Sequence, residues 1–344
     1  MGKYTVKSDM CGRTYILVFL FLLVKHADAA CTWPAVFDGT WLDSQQGQIV
    51  FTSSSDVSGF ELVFYSQTVN TFTCIEDQFE TNKKLLIRSV SSASAIGGNW
   101  YHYICLKFTE LTAGVSYTYY RLNEQQADAG QHRTKPRLST DAEFTIDNAC
   151  DETNGAKDAE FVTFIKQGSE TDAFITCPSV LLGRFEFNYT NSAGTESCND
   201  PSNQEHMNVC TDKTKLTFDV PCTGQSIVYA SGDVYCVASL QVGSDTFVQL
   251  YNPQATVDSS STYRFSCLAI SSDSLSSTIV YNNCTNHQTS SYVPRKHNGD
   301  VIGASISFLP YGKIFDTIQL FTMMYYDECL STMEMEDEMK GVQM

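Results

Sequence analysis

Polar and apolar residues alternate along most of this chain. The run Gly183-Arg184-Phe185-Glu186-Phe187-Asn188-Tyr189-Thr190 sets Phe185, Phe187 and Tyr189 against Arg184, Glu186, Asn188 and Thr190. A period of two is the signature of a strand with one face buried and the other in water. The same patterning, rich in β-branched and aromatic residues and broken by Ser, Gly, Asn and Asp, predicts strands at 48–52, 60–65, 71–75, 85–90, 100–108 and 115–122. It continues at 142–146, 160–165, 174–177, 183–190, 215–220, 226–229, 233–242, 246–251, 263–267 and 277–281. Within 100–108, Tyr101, Tyr103, Cys105 and Lys107 share one side. His102, Ile104, Leu106 and Phe108 share the other, the predicted buried face, with His102 near its edge. No window sustains apolar residues at helical spacing between caps. The pattern predicts an all-β protein, built as two to three disulfide-stapled antiparallel β-sandwich or small-barrel domains.

The first residues break this pattern. Lys3, Lys7 and Arg13 precede an apolar run at 15–24, and Ala27-Asp28-Ala29 supplies a small-x-small cleavage site. This predicts a signal peptide at 1–29. The apolar run is too short to cross ~30 Å of hydrocarbon. The mature chain is therefore expected to be secreted and extracellular, with no membrane span. Residues 30–150 read as an N-terminal Cys/Trp β domain, 151–255 as a central Cys-rich β domain and 256–310 as a short third Cys-containing β module. Residues 311–344 read as a disordered Met- and acid-rich tail. The polar stretch 123–136 reads as an exposed loop or interdomain connection.

Cysteine usage fits that address. Of 13 cysteines, Cys11 leaves with the leader. Cys31, Cys74, Cys105, Cys150, Cys177, Cys198, Cys210, Cys222, Cys236, Cys267, Cys284 and Cys329 remain, an even set able to pair completely, with the connectivity open. Tyr103-Ile104-Cys105, Val234-Tyr235-Cys236 and Phe265-Ser266-Cys267 each put a cysteine in a strand beside aromatics, a recurring design that falls short of a repeat. Asn188-Tyr189-Thr190 and Asn283-Cys284-Thr285 are acceptors for N-linked glycans. The second is the weaker, because a bridged Cys284 obstructs the transferase. The formal charge of -17 becomes about -19 without the leader, a surface that repels phosphate backbones and argues against nucleic acid as a partner.

Chemistry is harder to find. There is no Gly-x-Ser-x-Gly, His-Glu-x-x-His, Cys-x-x-Cys or phosphate-binding glycine loop. His102, His132, His206, His287 and His297 are scattered. Asp147, Asp151, Glu152, Asn154, Asp158 and Glu160 crowd around Gly155, but an EF-hand alignment puts Cys150 at the first ligand position and Phe161 at the last. A solvated acidic loop explains that run. No catalytic, cofactor-binding or metal residue is assigned, and neither an enzymatic activity nor a cofactor is expected. Gly39-Thr40-Trp41 resembles the opening strand of lipocalins, whose barrel mouth holds a small apolar ligand. The plainer reading, which we favour, is that Trp41 plugs a sandwich core beside Pro34 and Phe37.

A wider resemblance covers about 31–284. Cys31-x-Trp33-Pro34-x-x-Phe37-x-Gly39-x-Trp41 resembles the first of several consecutive domains of unknown function in invertebrate secreted or cell-surface proteins. Cys177-Pro178, Gly183-x-Phe185-x-Phe187-x-Tyr189, Cys198-x-x-Pro201-Ser202, Cys210, Leu216, Cys222 and Tyr235-Cys236 resemble the next. Tyr263-Arg264-Phe265-Ser266-Cys267 looks like the start of the module after that. The chain departs from the pattern in lacking a clear run of paired cysteines ahead of Cys177 and the membrane anchor that some such proteins carry. The resemblance implies an extracellular, disulfide-bonded architecture with no known activity. The expected function is that of a secreted disulfide-rich glycoprotein that binds an extracellular protein or matrix partner without a catalytic site. The alternative is a lipocalin-like carrier of a small hydrophobic ligand.

Overall fold

A computed structural model of the protein describes residues 31–310, other than 53–54, 96, 128–131, 192–193, 195–196, 199–205, 219–231, 256, 258–262, 273–275 and 296–302. The expected signal peptide, the acidic tail with Cys329, the strand at 226–229 and Cys222 lie outside the described residues, as does the side chain of Cys198.

The fold is all-β. Its first half contains β1 (Gly39–Asp43), β2 (Gly47–Phe51), β3 (Asp56–Phe64), β4 (Gln67–Gln78), β5 (Lys84–Ser89), β6 (Ala93–Ala95) and β7 (Gly98–Thr112). It continues with β8 (Ser116–Arg121), β9 (Gln125–Gln126), β10 (His132–Arg133), β11 (Lys135–Leu138) and β12 (Val162–Lys166). The second half contains β13 (Arg184–Asn191), β14 (Ser197–Cys198), β15 (His206–Asn208), β16 (Lys215–Phe218) and β17 (Asp233–Val242). It ends with β18 (Asp245–Tyr251), β19 (Phe265–Ser271), β20 (Ser277–Tyr281) and β21 (Gly303–Pro310).

Each half closes on itself. Strands β1, β2, β3, β4, β5, β7, β8 and β12 pair antiparallel in that order, and β12 returns to β1 with Trp41 opposite Lys166. Strands β13 and β15 to β21 do the same, with β21 returning to β13. The result is two closed eight-stranded up-and-down barrels, so neither first strand keeps an exposed edge.

Closure redraws several expected boundaries. Val162–Lys166, expected in a central domain, completes the first barrel. The stretch expected to form a third module supplies β19, β20 and β21 of the second. The described residues of 123–136, expected as an exposed or interdomain connection, fold back on the first barrel. There the buried Asn123 accepts the Cys105 amide (2.7 Å) and donates to the Ala149 carbonyl (3.0 Å). No strand forms at 142–146 or 174–177. At the first of these, Thr145 and Asn148 make a capping box and start a single helical turn, Ile146–Ala149, so local capping overrides β propensity.

Aromatic packing plugs one end of the first barrel. Phe37, at the close of the 3-10 turn Ala35–Phe37, lies 5.0–5.9 Å from the ring centres of Trp41, Phe51, Phe79, Phe108, Tyr117 and Phe164. Trp41 stacks flat on Phe164 (4.5 Å) and donates Nε1–H to the Phe37 carbonyl (2.9 Å). Trp41 thus does plug a core beside Phe37, and that core is a barrel. The second barrel opens in parallel fashion, with Pro178, the 3-10 turn Ser179–Leu181, and Gly183-Arg184-Phe185 leading into β13. Backbone approach is close at Gly59, where φ is +106° and a Cβ would stand 2.3 Å from the Gln48 carbonyl oxygen.

The bridges repeat the parallel. Cys31–Cys74 ties the leader of the first barrel to its fourth strand, and Cys177–Cys236 ties the leader of the second to its fourth. Cys105–Cys150 joins the sixth strand to the connection between the seventh and eighth, as Cys267–Cys284 does in the second. Cys74 and Cys236 face the barrel cores, while Cys105 and Cys267 face outward. Strand order and bridge placement together make the two barrels structural copies of one plan. Replacing Phe37 by Ala should cost about 3–5 kcal/mol in a urea titration, against under about 0.5 kcal/mol for Val63→Ala on the surface.

Candidate functional site

The barrels meet along an apolar seam. Phe161 and Ile165 point outward from the first barrel and pack, with Leu42, against the outer face of β17, β18 and β19. On that face, Val237 sits in a register shift between Cys236 and Ala238, and Ala238, Phe247, Tyr251, Phe265 and Ala269 complete the wall. In the first barrel the matching outer face is covered from within the chain, by Phe144, Ile146 and Ala149 over Leu86, Tyr103 and Cys105.

At one end the seam opens into a cleft of about 670 Å³. Its first wall is the β1–β2 turn with Gln48, Gln167 and Glu170, and its second is Tyr251, Tyr263, Arg264, Phe265 and Asn282. Tyr251 and Phe265 are cross-strand partners with ring centres 5.4 Å apart. Tyr263 stacks on Tyr281 at 4.4 Å with an interplanar angle of 10°. The Arg264 guanidinium donates to the Asn252 carbonyl (3.0 Å) and sits 5.8 Å from the Tyr251 ring centre. Along the first wall, Gln48 Nε2 donates to Gln167 Oε1 (3.0 Å).

Asp43 lies at the base of the cleft, almost wholly buried. Its Oδ1 accepts the amides of Gln45 and Gln46 (2.8 and 2.7 Å), and its Oδ2 accepts the Tyr119 hydroxyl (2.6 Å). Burial pushes its carboxyl above the usual range, against the opposing pull of Tyr119 and of the Arg121 charge. Those bonds occupy Asp43 in holding the turn and β8 together, which makes it a structural tie.

The residues singled out from sequence fall elsewhere. Asn188 is exposed on the outer face of β13, while Tyr189 beside it points into the core. Asn283 is 7% exposed and its Nδ2 donates to the Cys284 carbonyl (2.7 Å). Four bridges are described above, and Cys210 is disulfide-bonded as well. The carboxylates around Gly155 are engaged locally. Asp151 accepts the amides of Thr153 and Asn154, Glu152 pairs with Lys84 (2.6 Å) and Lys107 (3.1 Å), and Glu160 grips Arg133 with both oxygens (2.6 and 2.7 Å). Among the described residues no group of three or more His, Cys, Asp or Glu is placed to hold a metal ion, and no helix is long and apolar enough to cross a membrane.

Sequence reasoning did not single out the cleft. Its signal lay in β18 and β19, whose residues from Phe247 to Tyr251 and from Phe265 to Ile270 are buried on both faces. Continuous apolar character in an antiparallel strand means that something covers its outer side. Residues 175–298 match DUF7042, a domain of unknown function. The match starts just ahead of Cys177 and ends between β20 and β21, so it covers most of the second barrel and none of the first. No curated protein and no solved structure matches the chain.

One buried group makes stability depend on pH. His102 is 0% exposed and packs 4.4 Å from the Phe64 ring, and neither of its ring nitrogens has a hydrogen-bond partner. Burial lowers its pKa from 6.5 to about 4. The folded state therefore resists protonation that the unfolded chain accepts. The stability this represents is complete above pH 6.5 and is lost as the pH falls toward 4, by up to about 3 kcal/mol. In urea titrations from pH 7.5 to 4, His102→Phe should remove that part of the pH dependence.

Proposed function

We propose that the protein is a secreted, disulfide-bonded glycoprotein that binds a ligand in the cleft between its barrels and catalyses no reaction. The cleft carries this reading: its volume lies within the range of small-molecule sites, and residues from both barrels must come together to form it. Its chemistry suits a hydroxyl-rich ring. Tyr251, Tyr263 and Phe265 offer aromatic faces to ring C–H groups, and Gln48, Gln167, Asn282, Glu170 and Arg264 offer hydrogen-bonding groups for hydroxyls. A saccharide unit of an extracellular glycan has that make-up. The non-catalytic reading rests on Asp43, the carboxylate at the base, whose oxygens already hold three hydrogen bonds.

The extracellular assignment draws support from the bridges, which an oxidising compartment preserves. The net charge of -17 disfavours nucleic acid as the partner.

Two measurements test this reading. On a glycan array, the full-length protein should retain a defined set of glycans, and Tyr263→Ala should weaken that binding at least about tenfold while leaving the circular dichroism unchanged. An array with no retained glycan, or a variant that binds as well as the parent, would overturn the assignment. Peptide mapping after enzymatic deglycosylation should find sugar at Asn188 and none at Asn283, where Nδ2 is buried. An unmodified Asn188 in protein recovered from secreting cells would count against secretion as a glycoprotein.

A further inference from the structure

Three charged side chains line the cleft between the barrels, Asp43, Glu170 and Arg264, and they are not equally free to meet a ligand. Asp43 is engaged by Tyr119 and by the amides of Gln45 and Gln46. Arg264 is held on the second wall, where its guanidinium donates to the Asn252 carbonyl and lies beside the Tyr251 ring. Glu170 differs from both. It opens the 3-10 turn Glu170–Ala173 that follows β12, and Ala173 anchors that turn by full burial in the seam. Its Oε1 accepts the Gly168 amide (3.0 Å), and Gly168 has a φ of +86°, a conformation that favours glycine. That bond keeps the carboxylate at its own turn, on the wall formed by Gln48 and Gln167. Among the described residues no hydrogen bond or ion pair reaches its other oxygen.

The opposite wall offers the rings of Tyr251, Tyr263 and Phe265, with the cleft volume of about 670 Å³ between the two sides. A carboxylate with an unused oxygen, set across from aromatic rings, is a combination that holds a protonated amine. The oxygen accepts a charge-assisted N–H bond, and the rings attract the cation through their quadrupoles. A neutral hydroxyl or acetamide would gain only an ordinary hydrogen bond at the same place. The net charge of -17 adds a field that concentrates cations around the whole molecule. Arg264 on the second wall gives the cleft a polarity, since it repels an amine that Glu170 attracts.

We infer, on the saccharide reading of the cleft, that its ligand carries a protonated amine and that Glu170 is the residue that recognises this amine. The ligand class is thereby narrowed from a hydroxyl-rich ring to an amino sugar.

The test uses the full-length protein and two probes that differ only in acetylation: the glucosamine tetramer, with free amines, and its fully N-acetylated form. Calorimetry is run at about pH 6, below the pKa of such an amine. The free-amine form should bind at least about tenfold more tightly than the acetylated form, and added salt should shrink that ratio. Glu170→Gln, whose amide oxygen can still accept the Gly168 N–H, should bring the free-amine form down to the affinity of the acetylated one and leave the latter unchanged. Glu124→Gln, an exposed carboxylate outside the cleft, should alter neither. Tyr263→Ala should weaken both forms together. The assignment of Glu170 is overturned if the two forms bind the parent alike, or if Glu170→Gln keeps the preference. It is equally overturned if Glu124→Gln lowers the preference as much, which would mark attraction to the acidic surface at large. In each of these cases binding of the acetylated form, weakened by Tyr263→Ala, leaves the cleft reading standing. Binding of neither tetramer overturns the amino-sugar assignment as well, and an empty glycan array would then show that the cleft reading has failed with it.

Discussion

The hydrogen-bonded pairing of the last strand of each barrel with its first holds this architecture together. Without the ladder between β12 and β1, the first sheet would end in two open edges. The inward row Trp41, Phe164 and Tyr117 would then lose its shared centre around Phe37. Closure also explains why so many aromatic rings are tolerated. A closed eight-stranded barrel leaves an interior just wide enough for side chains to fill, and large flat rings fill it with few rotamers. The same ladder aims the outer face of β12 at the second barrel, so closing one core creates the surface on which the other docks.

The repeated bridge plan indicates where each barrel needs reinforcement. Both leaders are short segments that reach their barrel through a 3-10 turn, and in both a cysteine pins the leader to an inward-facing position on the fourth strand. In both, the long return from the seventh strand to the eighth is pinned to the outside of the sixth. These segments are not strands of the closed barrels, and a crosslink there mainly limits the unfolded chain. The copies differ in what covers the outer face of strands four to six. In the first barrel it is the chain's own helical turn beneath Phe144; in the second it is the first barrel. That difference turns two similar barrels into one unit with a cleft.

Polar groups inside the first barrel divide in two ways. Asp43 and Tyr119 satisfy each other and the β1–β2 turn, and burial shifts the carboxyl and the phenol upward together. Arg121 and His102 are left with unpartnered nitrogens in an interior of low polarity. The first pair specifies the fold, whereas the second adds a cost that folding alone does not require.

Much of this was legible in the chain. Period-two alternation located β2, β3, β5, β7, β8, β13, β17 and β20, because side chains on a half-buried strand obey a local rule. It also placed His102 with the buried residues of β7. Spacing could not tell sandwich from barrel, since both present one apolar face and differ only in whether the last strand finds the first. The boundaries of the two barrels were hidden for the same reason: Val162–Lys166 and β19 to β21 look like strands of any domain until their partners are known. The cleft needed Tyr263 and Gln48, more than 200 positions apart, to meet across a seam. Local residue chemistry thus set the elements, their sidedness and a cysteine set suited to bridges. Only the closed tertiary pairing decided which strands share a core, which cysteines meet and which polar groups are left buried without a partner, because each depends on contacts between residues far apart in the chain.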